Sequence, residues 1–522
     1  MTPETTSEAA PPDEAAADRT PAQFTHRQIM VTMSGLVIAM LLAMLDNMIV
    51  APALPTIVGD LGGLSHLAWV TTGYILASTA STPIWGKLGD LFGRRIVFIS
   101  SVVVFLAGSA LAGMSQNMGE LVAFRAVQGL GAGGLMVGVL SIIGEMIPPR
   151  ERSKYMGLMM AVMPVAMIGG PLAGGFITDN FSWRWAFYVN LPLGAVALVV
   201  CWFTLAKLPR GTGKARIDWL GAGLLTVWIT ALVLITSWGG TQYDWVSPQI
   251  LGLAVVTVAA FIAFVIVQRR VAEPIMPLRV FGNLNFTLSG ALAFISGFAM
   301  FGAVTFLPQF QQFVQGSSAT NSGLLLMPMM IAAMVVSLAS GAIISKTGRY
   351  KIFPIIGGTL IAASLALFST LDIDTSKTTT AIYMVVLGAG MGCLMQTSTL
   401  IAQNSIELRD IGAGTGAATF LRNMGSSLGV ALLGAIYTSS LSNSLTGGDS
   451  FSASGNQMTP AILHKLPEAA QHMFKVAVTD SLGTMFVVAA AVAAAGIVIA
   501  FFVRQIPLRG RAAPAEAELL EV

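Results

Sequence analysis

Gly86-Lys87-Leu88-Gly89-Asp90-Leu91-Phe92-Gly93-Arg94-Arg95 is the stretch on which the reading of this chain turns. It is short, charged and glycine-rich, and it lies between two long apolar runs. Its three cations and one carboxylate stand in a chain that is only 10% charged. Glycines let two helix ends approach each other and turn sharply. An Asp and an Arg in such a turn can pair with each other or cap the adjoining helix ends. An ordinary positively charged turn at a membrane surface would look much the same, so the decision falls to the residues around it.

Those surroundings are membrane-like. Hydrophobic residues make up 55% of the chain, the mean hydropathy is +0.76 and there are 55 glycines, a composition suited to closely packed transmembrane helices. A soluble domain carries roughly 25% charged residues. The net charge of +3 is no sign of a nucleic-acid partner, because the cations sit in loops. Apolar runs of about 20 residues, each able to cross ~30 Å of hydrocarbon, fall near 29–51, 66–85, 96–114, 121–146, 155–177, 186–206, 217–238, 249–268, 285–310, 320–344, 352–370, 381–404, 412–440 and 478–503. That predicts fourteen spans. Residues 1–26, rich in Pro, Ala, Glu and Thr, read as a disordered tail. With no basic segment ahead of a short apolar core, the first span is expected to be an uncleaved insertion signal.

The cations test this threading. Twenty-two of the 28 Lys and Arg residues fall in the tails or in loops assigned to the cytoplasm, four (Arg184, Lys377, Lys465, Lys475) fall outside, and Arg125 and Arg422 lie within spans. A shift of one span would invert the alternation in the loops that follow. The positive-inside rule therefore predicts an even number of spans with both tails cytoplasmic. A weak echo of residues 86–95 recurs 255 positions on, at Gly341-Ala342-Ile343-Ile344-Ser345-Lys346-Thr347-Gly348-Arg349-Tyr350, with Ser345 in place of the Asp. Two parallel six-span halves would produce such a repeat. The seventh and eighth spans, 217–268, would then be a central two-helix insertion.

Four stretches now carry a resemblance. Gly86, Asp90, Gly93 and Arg94 stand at the spacing of the signature loop between the second and third spans of major facilitator transporters. Arg125-Ala126-Val127-Gln128-Gly129-Leu130-Gly131 resembles that superfamily's Arg-x-x-Gln-Gly-x-Gly element. Gly170-Pro171-Leu172-Ala173-Gly174-Gly175 is similar to its Gly-Pro-x-x-Gly-Gly antiporter element. Leu45 to Pro55 resembles the first-span element of the fourteen-span drug:proton antiporters, with Met48 and Ala51 replacing its usual Thr and Asn, and Pro52 adding a second proline. The resemblance covers roughly residues 28–505. It implies an all-α integral membrane protein of the major facilitator fold: a tail at 1–27, a six-helix half at 28–210, two inserted helices at 211–272, a second half at 273–505 with an outer loop at 441–477, and a tail at 506–522.

Few ionisable residues fall within spans, and such residues are functional candidates by default. Asp46 lies near the outer third of the first span, and a carboxylate in a partly desolvated cavity can gain and lose a proton. A permanent pair that only holds helices together is the other reading. Arg125 resembles the family's proton-relay arginine; it could pair with Asp46, polarise Gln128, or snorkel to the interface. By the same resemblance Glu145 is expected to meet Arg94 or Arg95 and to latch the gating loop of Gly86, Asp90, Gly93 and Arg94. Arg422 faces either the cavity or the inner gate. Pro171 should kink the fifth span, and Gly170 and Gly174 should give it a smooth packing face. Gln128, Met327, Met330, Gln396 and Arg422 are the candidate cavity residues, Met because it repacks around varied ligands. Met329 and Met334 belong to the same cluster. The stretch Thr459 to Val478 is expected to lie at the membrane surface.

Several classes are disfavoured. His26, His66, His464 and His472 fall in tails, loops or helix ends, Cys201 and Cys393 stand alone, and no GxxxxGK[ST] loop is present. The expectation is therefore no enzyme, no cofactor, no metal and no nucleic-acid partner. What remains is a monomeric exporter in the cell (plasma or inner) membrane that exchanges protons for amphipathic, often cationic drugs or antibiotics. A dedicated exporter of one endogenous metabolite, such as a self-made antibiotic, siderophore or lipid, stands as the alternative. A membrane-embedded redox carrier would need ligands that the spans lack.

Overall fold

Inside hydrocarbon a backbone must satisfy its own N–H and C=O groups, so apolar runs become helices. The computed structural model describes residues 25–61, 67–160, 162–208, 217–240, 242–317, 325–445, 463 and 466–508. Among these the chain is helical throughout, with one isolated bridge between Gly239 and Tyr243. In chain order the α-helices are α1 (His26–Leu61), α2 (Leu67–Phe92), α3 (Arg94–Met114), α4 (Met118–Met146), α5 (Pro149–Met160), α6 (Val162–Asn180), α7 (Trp185–Tyr188) and α8 (Asn190–Thr204). They continue as α9 (Trp219–Trp238), α10 (Pro248–Gln268), α11 (Leu284–Phe313), α12 (Met327–Thr347), α13 (Ile352–Phe368), α14 (Lys377–Asn404), α15 (Ile411–Leu445) and α16 (Glu468–Phe502).

Among the described residues, twelve segments are long and apolar enough to cross a membrane, with Pro149–Thr178 and Trp185–Lys207 each counted as one. The chain is a multi-pass membrane protein. Two further helices occupy the remaining runs but fall short of that measure. Helix α2 carries Thr71, Thr72, Ser78, Thr79, Ser81 and Thr82 besides its charged end. Helix α13 has 17 residues, which rise only about 26 Å. The count of fourteen depends on these two.

Each half has its own apolar core. Leu36, Phe98, Phe105, Leu135 and Ile142 belong to the first; Phe306, Phe310, Phe368, Leu394 and Phe486 belong to the second. A third cluster sets α9 and α10 against α2 and α15, centred on Trp228. The Trp228 ring lies 4.7 Å from Phe261 and 5.5 Å from Phe420, centroid to centroid. Within the first half α2 and α3 pack on α4, and α1 packs on α6 and α8; in the second, α11 packs on α15, and α14 packs on α12 and α13. The halves meet where α2 touches α15 and where α5 touches α12 and α14.

Both described termini lie at one end of the bundle. The Tyr155 hydroxyl at the start of the fifth segment is 3.4 Å from His26 Nδ1, and the Arg504 carbonyl accepts from Tyr350 and Asn285. The tail at 1–24 and residues 446–462 fall outside the described residues. One expectation is corrected. The described part of the supposed surface stretch, Glu468 to Val478, is the first three turns of α16 and runs unbroken into the apolar helix. A helix that already satisfies its backbone has no reason to break where its polar turns meet hydrocarbon. Pro171 lies inside α6, which runs on through it from Val162 to Asn180.

Candidate functional site: a buried carboxylate and an interdomain latch

Helix α4 begins at a well-made cap. The Asn117 side chain accepts the Glu120 N–H at 2.9 Å, and the Glu120 carboxylate accepts the Gln116 N–H at 2.8 Å. That start fixes the helix phase. Arg125 and Gln128, three residues apart, therefore share one face. Both are fully buried, as is Asp46 on α1. Arg125 Nη1 is ion-paired with Asp46 Oδ2 and also donates to Gln128 Oε1 at 2.8 Å. Gln128 Nε2 donates to Asp46 Oδ1 at 2.8 Å. A further donor comes from α8, where Asn190 Nδ2 reaches Asp46 Oδ1 at 2.7 Å. The Tyr74 ring packs under the Arg125 guanidinium, 4.2 Å from Cζ to centroid, and its hydroxyl donates to the Ala43 carbonyl at 3.0 Å. A snorkelling Arg125 is excluded, because its side chain is 1% exposed. A charge this deep is tolerated only when paired and hydrogen-bonded, and the cluster meets both conditions.

The Gly170 to Gly175 stretch sits directly behind. A methyl group on Gly170 would strike Met48, and one on Gly174 would strike the Ile49 carbonyl. These glycines let α6 press on α1 at the residues just after Asp46.

The charged stretch forms a second site, at the end that carries both termini. Gly93 turns the chain between α2 and α3 with φ 92°, and Gly348 at the echo has φ 69°, so both copies use the left-handed backbone that glycine tolerates. Arg94 pairs with Asp90 and, at 3.0 Å, with Glu145 on α4. Asp90 then reaches across to the other half. Its Oδ1 accepts the Gly412 N–H at 2.9 Å and its Oδ2 accepts the Ala413 N–H at 2.6 Å. These are free amides at the start of α15, where a carboxylate gains from both hydrogen bonding and the helix dipole. A methyl group on Gly86 would strike the Gly412 carbonyl, so glycine sets this close approach.

The echo works with opposite polarity. Lacking a carboxylate at Ser345, it offers the last carbonyls of α12. Arg150, at the start of α5, donates to the Ser345 carbonyl at 3.1 Å and the Lys346 carbonyl at 3.2 Å. A cation at a helix C-terminus is the complementary dipole pairing. Between the two copies Arg152, 2% exposed, donates to Gln403 Oε1 at 2.9 Å, and Gln403 Nε2 donates to the Leu140 carbonyl at 3.1 Å. The loop after α10 adds Glu273, which pairs with Lys87 at 2.6 Å, and Arg279, which pairs with Asp410 at 3.0 Å. At this end the two halves are closed against each other.

The cavity candidates divide. Met330 lines a narrow cleft of about 10 Å³ between α6, α11, α12 and α14, together with Met163, Met300, Met329, Met391, Met395 and Ala333. Met327 is not among its lining residues. Gln396 is 2% exposed and accepts from Ser337 Oγ at 2.5 Å, which ties α14 to α12. Arg422 on α15 is half-buried, and among the described residues its guanidinium has no ion pair. Of the five cavity candidates only Gln128 joins the Asp46 cluster. Asn190, Arg152, Gln403 and the Gly412 and Ala413 amides were not legible from sequence. Neutral amides and backbone donors carry no charge pattern, and only the position of Asn190, a polar residue heading an apolar run, hints at a role.

A family model described as the Major Facilitator Superfamily matches residues 36–430. The chain belongs to the major facilitator superfamily. Its relatives include the multidrug transporter protein MdtP of Bacillus subtilis, 36% identical over 526 residues that cover 95% of this chain and 96% of that protein. An uncharacterized MFS-type transporter of Mycobacterium tuberculosis is 40% identical over 482 residues, 92% of this chain and 70% of its own. Among solved structures, the human organic anion transporter MFSD10 shares the fold with TM-score 0.62 at 12% identity, covering 92% of this chain and 100% of that one. As a major facilitator protein the chain is a membrane transporter of small molecules and not an enzyme.

Proposed function

We propose that this chain is a fourteen-span exporter of amphipathic, often cationic drugs or antibiotics in the cell membrane, driven by protons entering through Asp46 and Arg125. The buried Asp46–Arg125–Gln128 cluster is the observation that carries the reading. It places one titratable carboxylate, fully buried, against a single fixed cation. The names of the relatives, multidrug transporter and multidrug resistance protein at 36% and 38% identity, support a drug-like substrate. In this reading α2 and α13 also span, α9 and α10 form the central insertion, and the closed end is cytoplasmic. The methionine-lined cleft then lies on the drug path. One proton moving down ~100 mV supplies about 2.3 kcal/mol. That supports somewhat more than a tenfold gradient of a neutral substrate at ~1.4 kcal/mol per decade.

A growth-inhibition panel in a pump-deleted host tests the substrate class. Protection against several unrelated amphipathic cations is expected. Protection against a single compound would instead indicate the dedicated metabolite exporter. Topology has its own test. Cys201 and Cys393 are both buried, so a cysteine introduced in the 446–462 segment should dominate the reaction of intact cells with an impermeant thiol reagent. Labelling of that segment only after lysis would overturn the orientation.

A further inference from the structure

Asp46 has three donors, and one of them, Asn190, carries a buried amide oxygen with no donor of its own. Asn190 is fully buried. Its Nδ2 donates to Asp46 Oδ1 at 2.7 Å and to Ser109 Oγ at 3.0 Å. Ser109 Oγ in turn donates to the Phe187 carbonyl at 2.8 Å. Asn190 Oδ1 is buried with no hydrogen-bond partner. An unpartnered buried acceptor is uncommon and calls for a reason.

The chemistry of a titrating carboxylate supplies one. Ionised, Asp46 only accepts; protonated, it must also donate. The proton belongs on Oδ1, because Oδ2 holds the Arg125 ion pair. Of the side-chain amide and backbone carbonyl oxygens nearby, Gln128 Oε1 and Asn47 Oδ1 already accept from Arg125 and the Phe187 carbonyl from Ser109. Among them Asn190 Oδ1 alone has no donor. We propose that Asn190 is the positioning residue for the proton on Asp46: its amide donates to the ionised carboxylate and, after a half-turn about Cβ–Cγ, accepts from the protonated one. Asp46 takes one proton from hydronium and leaves water; Asn190 itself neither gains nor loses a proton. The half-turn exchanges groups of nearly equal size. It gives up the Nδ2 bond to Ser109, so the turned amide is favoured only when Asp46 carries the proton.

The charged and titratable groups around the pair are few. Helix α4 contributes Arg125 and α2 contributes Tyr74. Helix α3 offers Ser109, α7 offers the Phe187 carbonyl, and α6, packed on α1, has no titratable side chain from Val162 to Thr178. Asp46 is therefore the one carboxylate whose proton Asn190 can meet.

The inference rests on Asp46 being the proton carrier, and the test separates the two. The purified full-length chain is titrated in detergent, with no drug present, by infrared difference spectroscopy. A protonated-carboxyl C=O band that is present in the wild type and missing from Asp46→Asn belongs to Asp46. If no band behaves so, Asp46 is not the proton site and both readings fail. Given the band, its position in the wild type should be that of a hydrogen-bonded carboxyl; a free-carboxyl position overturns the role of Asn190 alone. In Asn190→Leu the ionised form loses one donor and keeps Arg125 and Gln128, whereas the protonated form loses the one nearby acceptor that has no other donor. The band should move to the free position. Asn190→Thr, whose hydroxyl can donate or accept, should restore the hydrogen-bonded position. An unchanged band in Asn190→Leu leaves Asp46 in place and removes Asn190. Should Asn190→Leu fail to fold, the wild-type band position and Asn190→Thr still decide.

Discussion

Asp46→Asn should leave a protein that binds its substrate and exchanges it downhill but no longer concentrates it against a gradient. Asn is close in size to Asp, accepts a hydrogen bond at one atom and cannot titrate. It fixes the neutral state of the site. An exporter driven by protons needs its two ligands to compete, or to favour opposite conformations. An ionised Asp46 attracts a cationic drug, and a protonated one does not. On the proposed mechanism, protonation from outside favours release, and loss of the proton to the cytoplasm resets the site. With that cycle removed, uphill efflux should fall at least tenfold, toward the leak rate. Arg125 would also lose its counter-charge while buried, and removing one partner of a buried pair costs about 3–5 kcal/mol. Thermal unfolding in detergent should therefore accompany the transport assay, and Asp46→Asn with Arg125→Gln should recover part of the stability but none of the uphill transport. Drug-induced proton release in weakly buffered detergent is the direct readout. A folded Asp46→Asn protein that still releases protons and still pumps uphill would remove Asp46 from the mechanism.

The parts of this molecule that could be read in its sequence were those where the membrane narrows the choices. Apolar runs become helices because no other open backbone survives in lipid. Asp46 and Arg125 stood out because charges inside such runs are rare, and the structure brings them together. Glu145 was expected to meet Arg94 or Arg95; the partner is Arg94, while Arg95 lies over the Trp202 ring, 4.7 Å from its centroid. What could not be read was whatever depends on which helices face each other. Gln403 is one amide among several on α14, and nothing in the sequence says that it lies beside Arg152, 251 residues earlier. The partners of Asp90 are backbone N–H groups, which every residue but proline carries. The echo at Ser345 looked like a degraded copy because its carboxylate is missing. Its carbonyls prove to accept from Arg150, a role that needs no particular side chain.

That polarity makes Asp90 the residue whose loss should most disturb the closed end. It ties three elements together, through Arg94 to α3 and through Gly412 and Ala413 to α15. Asp90→Asn keeps one acceptor and loses the charge, so it forfeits one amide bond and the charge-assisted part of the other. Hydrogen bonds to a charged group contribute about 1.5–3 kcal/mol each. A loss of about 2 kcal/mol from the closed state shifts its balance with the open state roughly thirtyfold. The echo would not compensate, since Arg150 with Ser345 and Lys346 is an exposed contact and exposed contacts of this kind contribute little. Transport should slow, because the inner end no longer stays shut while the outer end loads and releases. Substrate affinity in detergent should stay within a few-fold, since Asp90 makes no contact with the methionine-lined cleft. A cysteine placed at Thr415, 1% exposed and bonded to Gln403, reports the state of the gate. Its modification by a thiol reagent should rise by about the same thirtyfold factor in Asp90→Asn, on a background without Cys201 and Cys393. Unchanged reactivity at position 415, or a collapse of affinity in a folded protein, would show that Asp90 does not hold the gate.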